Sequence, residues 1–482
     1  MRVLSTRLGK IRGLDNADAL SFLGLRYGEP PTGSQRFLAP IKSSGWRDIL
    51  DATHFPNRSM QNEGGLSLRS FVPGNVSEDC LFLNITTSAL TGKLKPVMVW
   101  IHGGGFIGGS ANEYDTQVLS QQGDMVVVSL NFRVGTLGFL DLSSHGDAYQ
   151  GSACNGLRDI ILALQWVRDN IDEYGGDPQN ITLAGQSSGA TKVLALLGAP
   201  EAEGLFHKAI ANSATCAYHA AQDQSEKIAE KLDINRADVL PALLSMTAQE
   251  IVDLELRYRI TVDGTVVTRP TFEAIQDRGN RGVPLLTGSN LNEGTLYTRG
   301  LDSEQDHYSE FNISLASEML CGQSPDNYLA ALKETYPHAS PGRFHELVWN
   351  DMFRRTVLQA AELSTAAGPG GWLYRFDLPA NLPRFKNYGA SHASEMAFTF
   401  NTIAKPSSHA LTFHDPYDPI VRQIAEQWAS RIIQFCKSGQ PNAEALEHWP
   451  KYNRASRDCL LIDERLKIIS DPDLTHRQLW SR

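Results

Sequence analysis

Two hydrophobic periods share the first two hundred residues. Pro96, Val97, Met98, Val99, Trp100 and Ile101 form an unbroken apolar run that ends in glycines, and Met125–Leu130 forms a second; both predict buried strands. Between Leu157 and Ile171 the apolar positions Ile160, Leu164, Val167 and Ile171 fall at helical spacing, and the pattern stops near Tyr174-Gly175-Gly176. Ile181–Ala184 reads as another strand and Ala190–Leu197 as a helix. Continuous apolar strands separated by helices predict an α/β protein whose mostly parallel sheet is covered on both faces.

From about Gln222 to Tyr258 the pattern turns helical and charged. Strand signals return at Val283–Gly288 and Trp372–Phe376, and Glu304–Ala366 reads as helices capping the sheet edge. No linker is rich enough in Pro, Gly or Ser to divide the chain, and there is no internal repeat. The expectation is one domain over residues 1–482, with helical insertions at roughly 219–280 and 300–366.

Composition narrows the function. Of 482 residues, 41% are hydrophobic and 20% charged, the balance of a soluble globular enzyme. A net charge of −10 and no run of five Lys or Arg argue against nucleic acid and against an anionic membrane surface as partner. No apolar stretch approaches the ~18–20 residues that span a bilayer, and the first residues lack the apolar core of a signal peptide. Cys80, Cys154, Cys216, Cys321, Cys436 and Cys459 are scattered without metal-ligand spacing, which predicts free thiols in a reducing, cytoplasmic compartment and no metal site. Five N-x-S/T sequons occur, at Asn57, Asn75, Asn84, Asn180 and Asn312; two abut predicted strands, so they are read as chance.

The candidate chemistry lies at Gly185-Gln186-Ser187-Ser188-Gly189, directly between a predicted strand and a predicted helix. A serine at such a turn presents its hydroxyl beyond the sheet, beside the N–H groups that open a helix, and the glycines permit the close approach of the two elements. An acyl-transfer serine also needs a base, a group to orient that base and N–H donors for the oxyanion. His102-Gly103-Gly104-Gly105 follows the strand ending at Ile101; Gly104 and Gly105, with Ser188 after the nucleophile, are the expected donors. Alone, HGGG also reads as a glycine-rich turn.

If the chain order is Ser, acid, His, the base comes from His392, His409, His414, His448 or His476. His392, among small residues after the strand at 372–376, is the leading candidate, with His414 beside Asp415 as its rival. Glu293, just beyond the strand at 283–287, is the candidate acid, although spacing alone equally suits a solvated loop glutamate.

These segments resemble the type-B carboxylesterase (carboxylesterase/cholinesterase) family of α/β hydrolases almost end to end. The likeness is carried by Phe22–Gly33 with Arg36-Phe37, by Ser77-Glu78-Asp79-Cys80-Leu81-Phe82-Leu83-Asn84, by Gly175–Thr182 leading into the serine, by Asn292-Glu293-Gly294, by His392, and by Gln440-Pro441-Asn442 with Trp449-Pro450. The resemblance implies the α/β-hydrolase fold, a mostly parallel central sheet flanked by helices with helical cap insertions. It implies the triad Ser187, Glu293 and His392, no cofactor, and a small-molecule ester as substrate. It further implies that Ser213 supports the acid and that Arg36–Glu78 and Arg133–Asp159 are structural ion pairs.

Departures from the family pattern matter too. Ser188 stands where the family usually has alanine. No cysteine precedes Cys80, so the disulfide of extracellular members cannot close. No tryptophan lies between Trp46 and Trp100, which removes the cation-stacking ring of choline-ester specialists. The loop Asn62–Val76 is short and rich in Gly and Ser, a poor amphipathic lid. The expected activity is hydrolysis of small to medium carboxylic esters. The alternatives are a lipase for longer acyl chains and, against the retained triad, a non-catalytic binding protein.

Overall fold

The computed structural model describes all residues except 17–18, 63–71, 216–217, 221–223, 279–281, 300–307, 321–323, 405–411 and 481–482. Cys216, Cys321, His409 and most of the loop 62–76 therefore lie outside the described residues. The chain forms two compact units, one of residues 1–208 and 218–274, the other of 209–217 and 275–482.

The sheet of the first unit contains β1 (Arg2–Thr6), β2 (Gly9–Asp15), β3 (Leu20–Arg26), β4 (Phe82–Thr87), β5 (Lys95–Ile101), β6 (Val126–Leu130) and β7 (Gly176–Gln186). Their order is β1-β2-β3-β4-β6-β5-β7. The pairs from β1 through β4 to β6 are antiparallel, while β6, β5 and β7 run parallel. Every residue of β6 is buried, as its unbroken apolar run requires. From β5 the chain passes to one neighbour, β6, and comes back on the other side as β7. Ligands of open α/β sheets collect at such a reversal, beyond the carboxyl ends of the strands.

Two helices frame that point: α1 (Asn155–Asn170) and α2 (Ser188–Gly198). Two buried ion pairs brace the unit. Arg36 meets Glu78 in a fork at 2.6 and 2.7 Å, and Arg133 Nη2 lies 2.7 Å from Asp159. Removing one member of such a pair typically costs about 3–5 kcal/mol.

Residues 219–274 are less helical than their charge pattern predicts. Helices Ser225–Leu232, Val239–Ser245 and Ala248–Val252 are present, but Ile260–Val262 forms a short parallel pair with Tyr218–Ala220. The reason is local. Ile260-Thr261-Val262 is β-branched throughout, and Asp263 ends it by accepting the N–H groups of Thr265, Val266 and Val267.

In the second unit β8 (Lys208–Asn212), β9 (Leu285–Asn290), β10 (Gly371–Phe376) and β11 (Asp458–Ile462) run parallel, and β12 (Leu466–Ser470) closes the edge antiparallel. The predicted helical stretch before β10 holds α3 (Ser309–Met319), α4 (Asp326–Thr335) and α5 (Pro341–Ala366). Ser340 caps α5 by accepting the Arg343 N–H, with Pro341 in the first turn. α5 packs on β9 and β10, and Leu315, Met319, Tyr328, Leu332, Val348, Met352 and Phe353 form its buried cluster with α3 and α4. Burial of each such side chain contributes roughly 1.5–3 kcal/mol.

Candidate active site

Backbone geometry builds the candidate residues of the first unit. β7 ends at Gln186 and α2 begins at Ser188, so Ser187 alone makes the turn, at φ 57° and ψ −130°. A side chain in that region is strained and persists only where the surroundings hold it. Packing explains the two flanking glycines. A Cβ on Gly189 would stand 2.2 Å from the Ile101 carbonyl oxygen, and one on Gly185 would stand 2.7 Å from the Gly189 carbonyl carbon.

The loop after β5 comes to the same place. A Cβ on Gly103 would lie 3.1 Å from the Ser187 Cβ. Gly104 and Gly105 take φ values of 108° and 64°, and the Gly104 carbonyl accepts the N–H groups of Ile107 and Gly108. Among the described residues, the N–H groups of Gly104, Gly105 and Ser188 donate to no protein acceptor. Three donors without a protein acceptor thus lie in the two segments next to the serine, the kind of group that can stabilise a developing oxyanion.

Side chains build the candidate group of the second unit. Glu293 is wholly buried in the turn after β9. Its Oε1 accepts the Ser213 hydroxyl at 2.6 Å and the Asn290 N–H at 2.7 Å, and its Oε2 lies 2.5 Å from His392 Nδ1. His392 is held by its own loop. Asn292 N–H donates to Ala390 O at 2.9 Å, Ala390 N–H to Asn292 Oδ1 at 3.1 Å, and Asn290 Nδ2 to Ser391 O at 2.9 Å. The imidazole packs on Phe353, with centroids 4.7 Å apart. With Nδ1 committed to a carboxylate, Nε2 becomes the working nitrogen.

Sequence reading alone did not single out Asn290 or Glu395. Asn290 donates its Nδ2 to Glu395 Oε2 at 2.7 Å and its backbone N–H to Glu293. It therefore links two buried carboxyl groups. Burial, and then the Glu293 charge, push the Glu395 carboxyl up to about 7. The only local signal for either residue is position, at a strand end and three residues past His392.

The rival histidines sit elsewhere. His414 is buried against Phe376 and Phe398, with Nε2 3.3 Å from Leu378 O, and burial pushes it down to about 4. It is a core histidine. His476 pairs with Asp351, and His448 is exposed. Among the described residues no group of three His, Cys, Asp or Glu could hold a metal ion, and no helix is long and apolar enough to cross a membrane.

The family model described as the carboxylesterase family matches residues 1–480. The chain belongs to the carboxylesterase family. Like its relatives this carboxylesterase is a carboxylic ester hydrolase. It is 33% identical to the para-nitrobenzyl esterase of Bacillus subtilis, over 99% of this chain and 98% of that protein. It is 30% identical to human carboxylesterase 3, over 94% and 86% of the two chains. Among solved structures it is similar to the Geobacillus stearothermophilus carboxylesterase EST55 (TM-score 0.86, 31% identity) and to a thermophilic PNB esterase (TM-score 0.88, 30% identity), each over 99% of both chains. The fold is therefore the α/β-hydrolase fold of these enzymes.

Proposed function

We propose that this carboxylesterase hydrolyses small to medium carboxylic esters through an acyl-enzyme on Ser187. His392 Nε2 takes the proton of the Ser187 hydroxyl as the oxygen attacks the ester carbonyl. The carbonyl oxygen becomes an oxyanion received by the N–H groups of Gly104, Gly105 and Ser188. His392 returns the proton to the departing alcohol, and water repeats the cycle on the acyl-enzyme. Glu293 holds the imidazole in the useful tautomer and stabilises its cation.

The observation that carries this reading is the strained Ser187 turn, with three N–H groups that have no protein acceptor in its own and the adjoining glycine segment. The buried Glu293–His392 pair supports it. A para-nitrobenzyl ester, the substrate in a relative's name, is a direct assay. An organophosphate should label one serine per chain, Ser187, and Ser187→Ala should lose at least ~10⁴-fold in kcat while melting as the parent does. Wild-type turnover in Ser187→Ala ends the assignment.

We also propose cytoplasmic residence, which the buried free thiols Cys80, Cys154 and Cys459 support. Thiol titration of the unfolded, unreduced protein should find six reactive groups; fewer would count against it.

A further inference from the structure

Lys192 is an anomaly beside the proposed site. It lies in the second turn of α2, 1% exposed, and no carboxylate is paired with it among the described residues. Lysines are almost never buried unpaired, because desolvating an ammonium is strongly unfavourable. Yet its Nζ is well occupied. It donates to the Ser188 carbonyl oxygen at 3.1 Å and stands 3.8 Å from the centroid of the Phe106 ring, with the rings of Phe132 and Phe139 at 5.3 and 5.4 Å. Burial pushes its pKa well below the ordinary lysine value, so it stands there as an amino group whose other neighbours are aromatic faces.

The two nearest contacts are not arbitrary. Ser188 follows the serine, and Phe106 follows Gly104-Gly105. One amino group thus touches both segments whose N–H groups form the proposed oxyanion hole. Both segments carry left-handed backbone, at Ser187 (φ 57°) on one side and at Gly104 (108°), Gly105 (64°) and Phe106 (69°) on the other. Such conformations for Ser and Phe need neighbours that over-determine them. Phe106 is held on its far side too, where its carbonyl accepts the Gly135 N–H at 2.7 Å.

We propose that Lys192 is a positioning residue of the oxyanion hole: its amino group bridges the Ser188 carbonyl and the face of Phe106, and so sets the separation of the two N–H-bearing segments. The inference rests on the roles proposed above for Ser187, Gly104, Gly105 and Ser188. The lysine touches no reacting atom; it acts through the donors it spaces.

Lys192→Met keeps the length and apolar body and removes the amino group. In the full chain, kcat on a para-nitrophenyl ester should fall about ten- to a hundredfold with KM within about twofold, because misplaced donors weaken transition-state binding more than substrate binding. Affinity for a trifluoromethyl ketone, whose adduct with the serine carries an oxyanion, should fall by a similar factor. If both quantities stay within about twofold of the parent, or if kcat and KM shift only in step with a lowered melting temperature, the lysine is merely structural and the proposal fails. Should Lys192→Met not fold, Phe106→Leu decides. It removes the ring face that the lysine Nζ caps, and it should lower kcat and ketone affinity several-fold; parental values overturn the proposal. Organophosphate labelling of the parent keeps the two questions apart. A parent not labelled at Ser187 brings down the reading of the site itself, whereas a labelled parent with an indifferent Lys192→Met brings down only the role of the lysine.

Discussion

The Ser187 turn in the first unit and the Glu293–His392 pair in the second are made of different material. Around Ser187 the working parts are backbone: one residue turned to φ 57°, glycines packed so closely that a methyl group would overlap a carbonyl, and N–H groups left without acceptors. Around Glu293 and His392 the working parts are side chains, each satisfied by another from a distant stretch of sequence, such as Ser213 on Glu293 and Asn290 on Glu395. A backbone site tolerates changes of polar chemistry but not of volume. A side-chain site tolerates small changes of volume but not of charge or hydrogen bonding.

Substitutions can break that contrast or sharpen it. The largest effect is expected at Glu293→Gln, which keeps the shape and removes the charge facing His392 Nδ1. Turnover should fall on the order of 10⁴-fold, with the thermal midpoint close to the parent's. A variant retaining a tenth of parental kcat would show that the pair is structural.

Gly189→Ala probes the other half. Its methyl would stand 2.2 Å from the Ile101 carbonyl oxygen, an overpacking that destabilises by roughly 2–4 kcal/mol. Denaturant unfolding should report the loss directly. If the variant is as stable as the parent, the elbow is not the rigid backbone device described.

Glu395→Gln tests the neighbouring buried carboxyl. Its folded-state pKa of about 7 lies above the ordinary glutamate value, so the parent is favoured below about pH 4.5 and loses that advantage as pH rises through 7. The glutamine variant should therefore be the more stable protein above pH 7, by on the order of 3 kcal/mol, and should gain nothing below pH 4.5. Parallel stability–pH curves for the two proteins would dispose of this account.

Ser213→Ala should have the smallest effect. It removes one of two hydrogen bonds to Glu293 Oε1 and leaves the Asn290 N–H. A charge-assisted bond of ~1.5 kcal/mol corresponds to about a tenfold fall in kcat. A hundredfold fall would mean that the serine does more than support the acid.

Much of this was legible along the chain. The strand–serine–helix junction, the glycine loop after β5 and the apolar runs of β5, β6 and β9 are local, and so they could be read from consecutive residues. Less local features escaped. The pairing of Ile260–Val262 with Tyr218–Ala220 joins residues some forty positions apart, inside a stretch whose charge reads as helix. Spacing could not choose between His392 and His414, since both follow strand-like sequence and stand near acids. One proves to be hydrogen-bonded to Glu293 and the other packed among phenylalanines.

The amino-acid order by itself determined where the chain must turn sharply, which strands are buried on both faces, and that a serine with glycine neighbours stands at one such turn. These are consequences of backbone sterics and of hydrophobic period, which act over a few residues. Only the tertiary structure decided which acid meets which histidine, that Asn290 joins two carboxyl groups, and that a lysine could be buried against Phe106. Those outcomes depend on desolvation and on hydrogen-bond partners brought together from remote positions, and no short window of sequence contains both members of the pair.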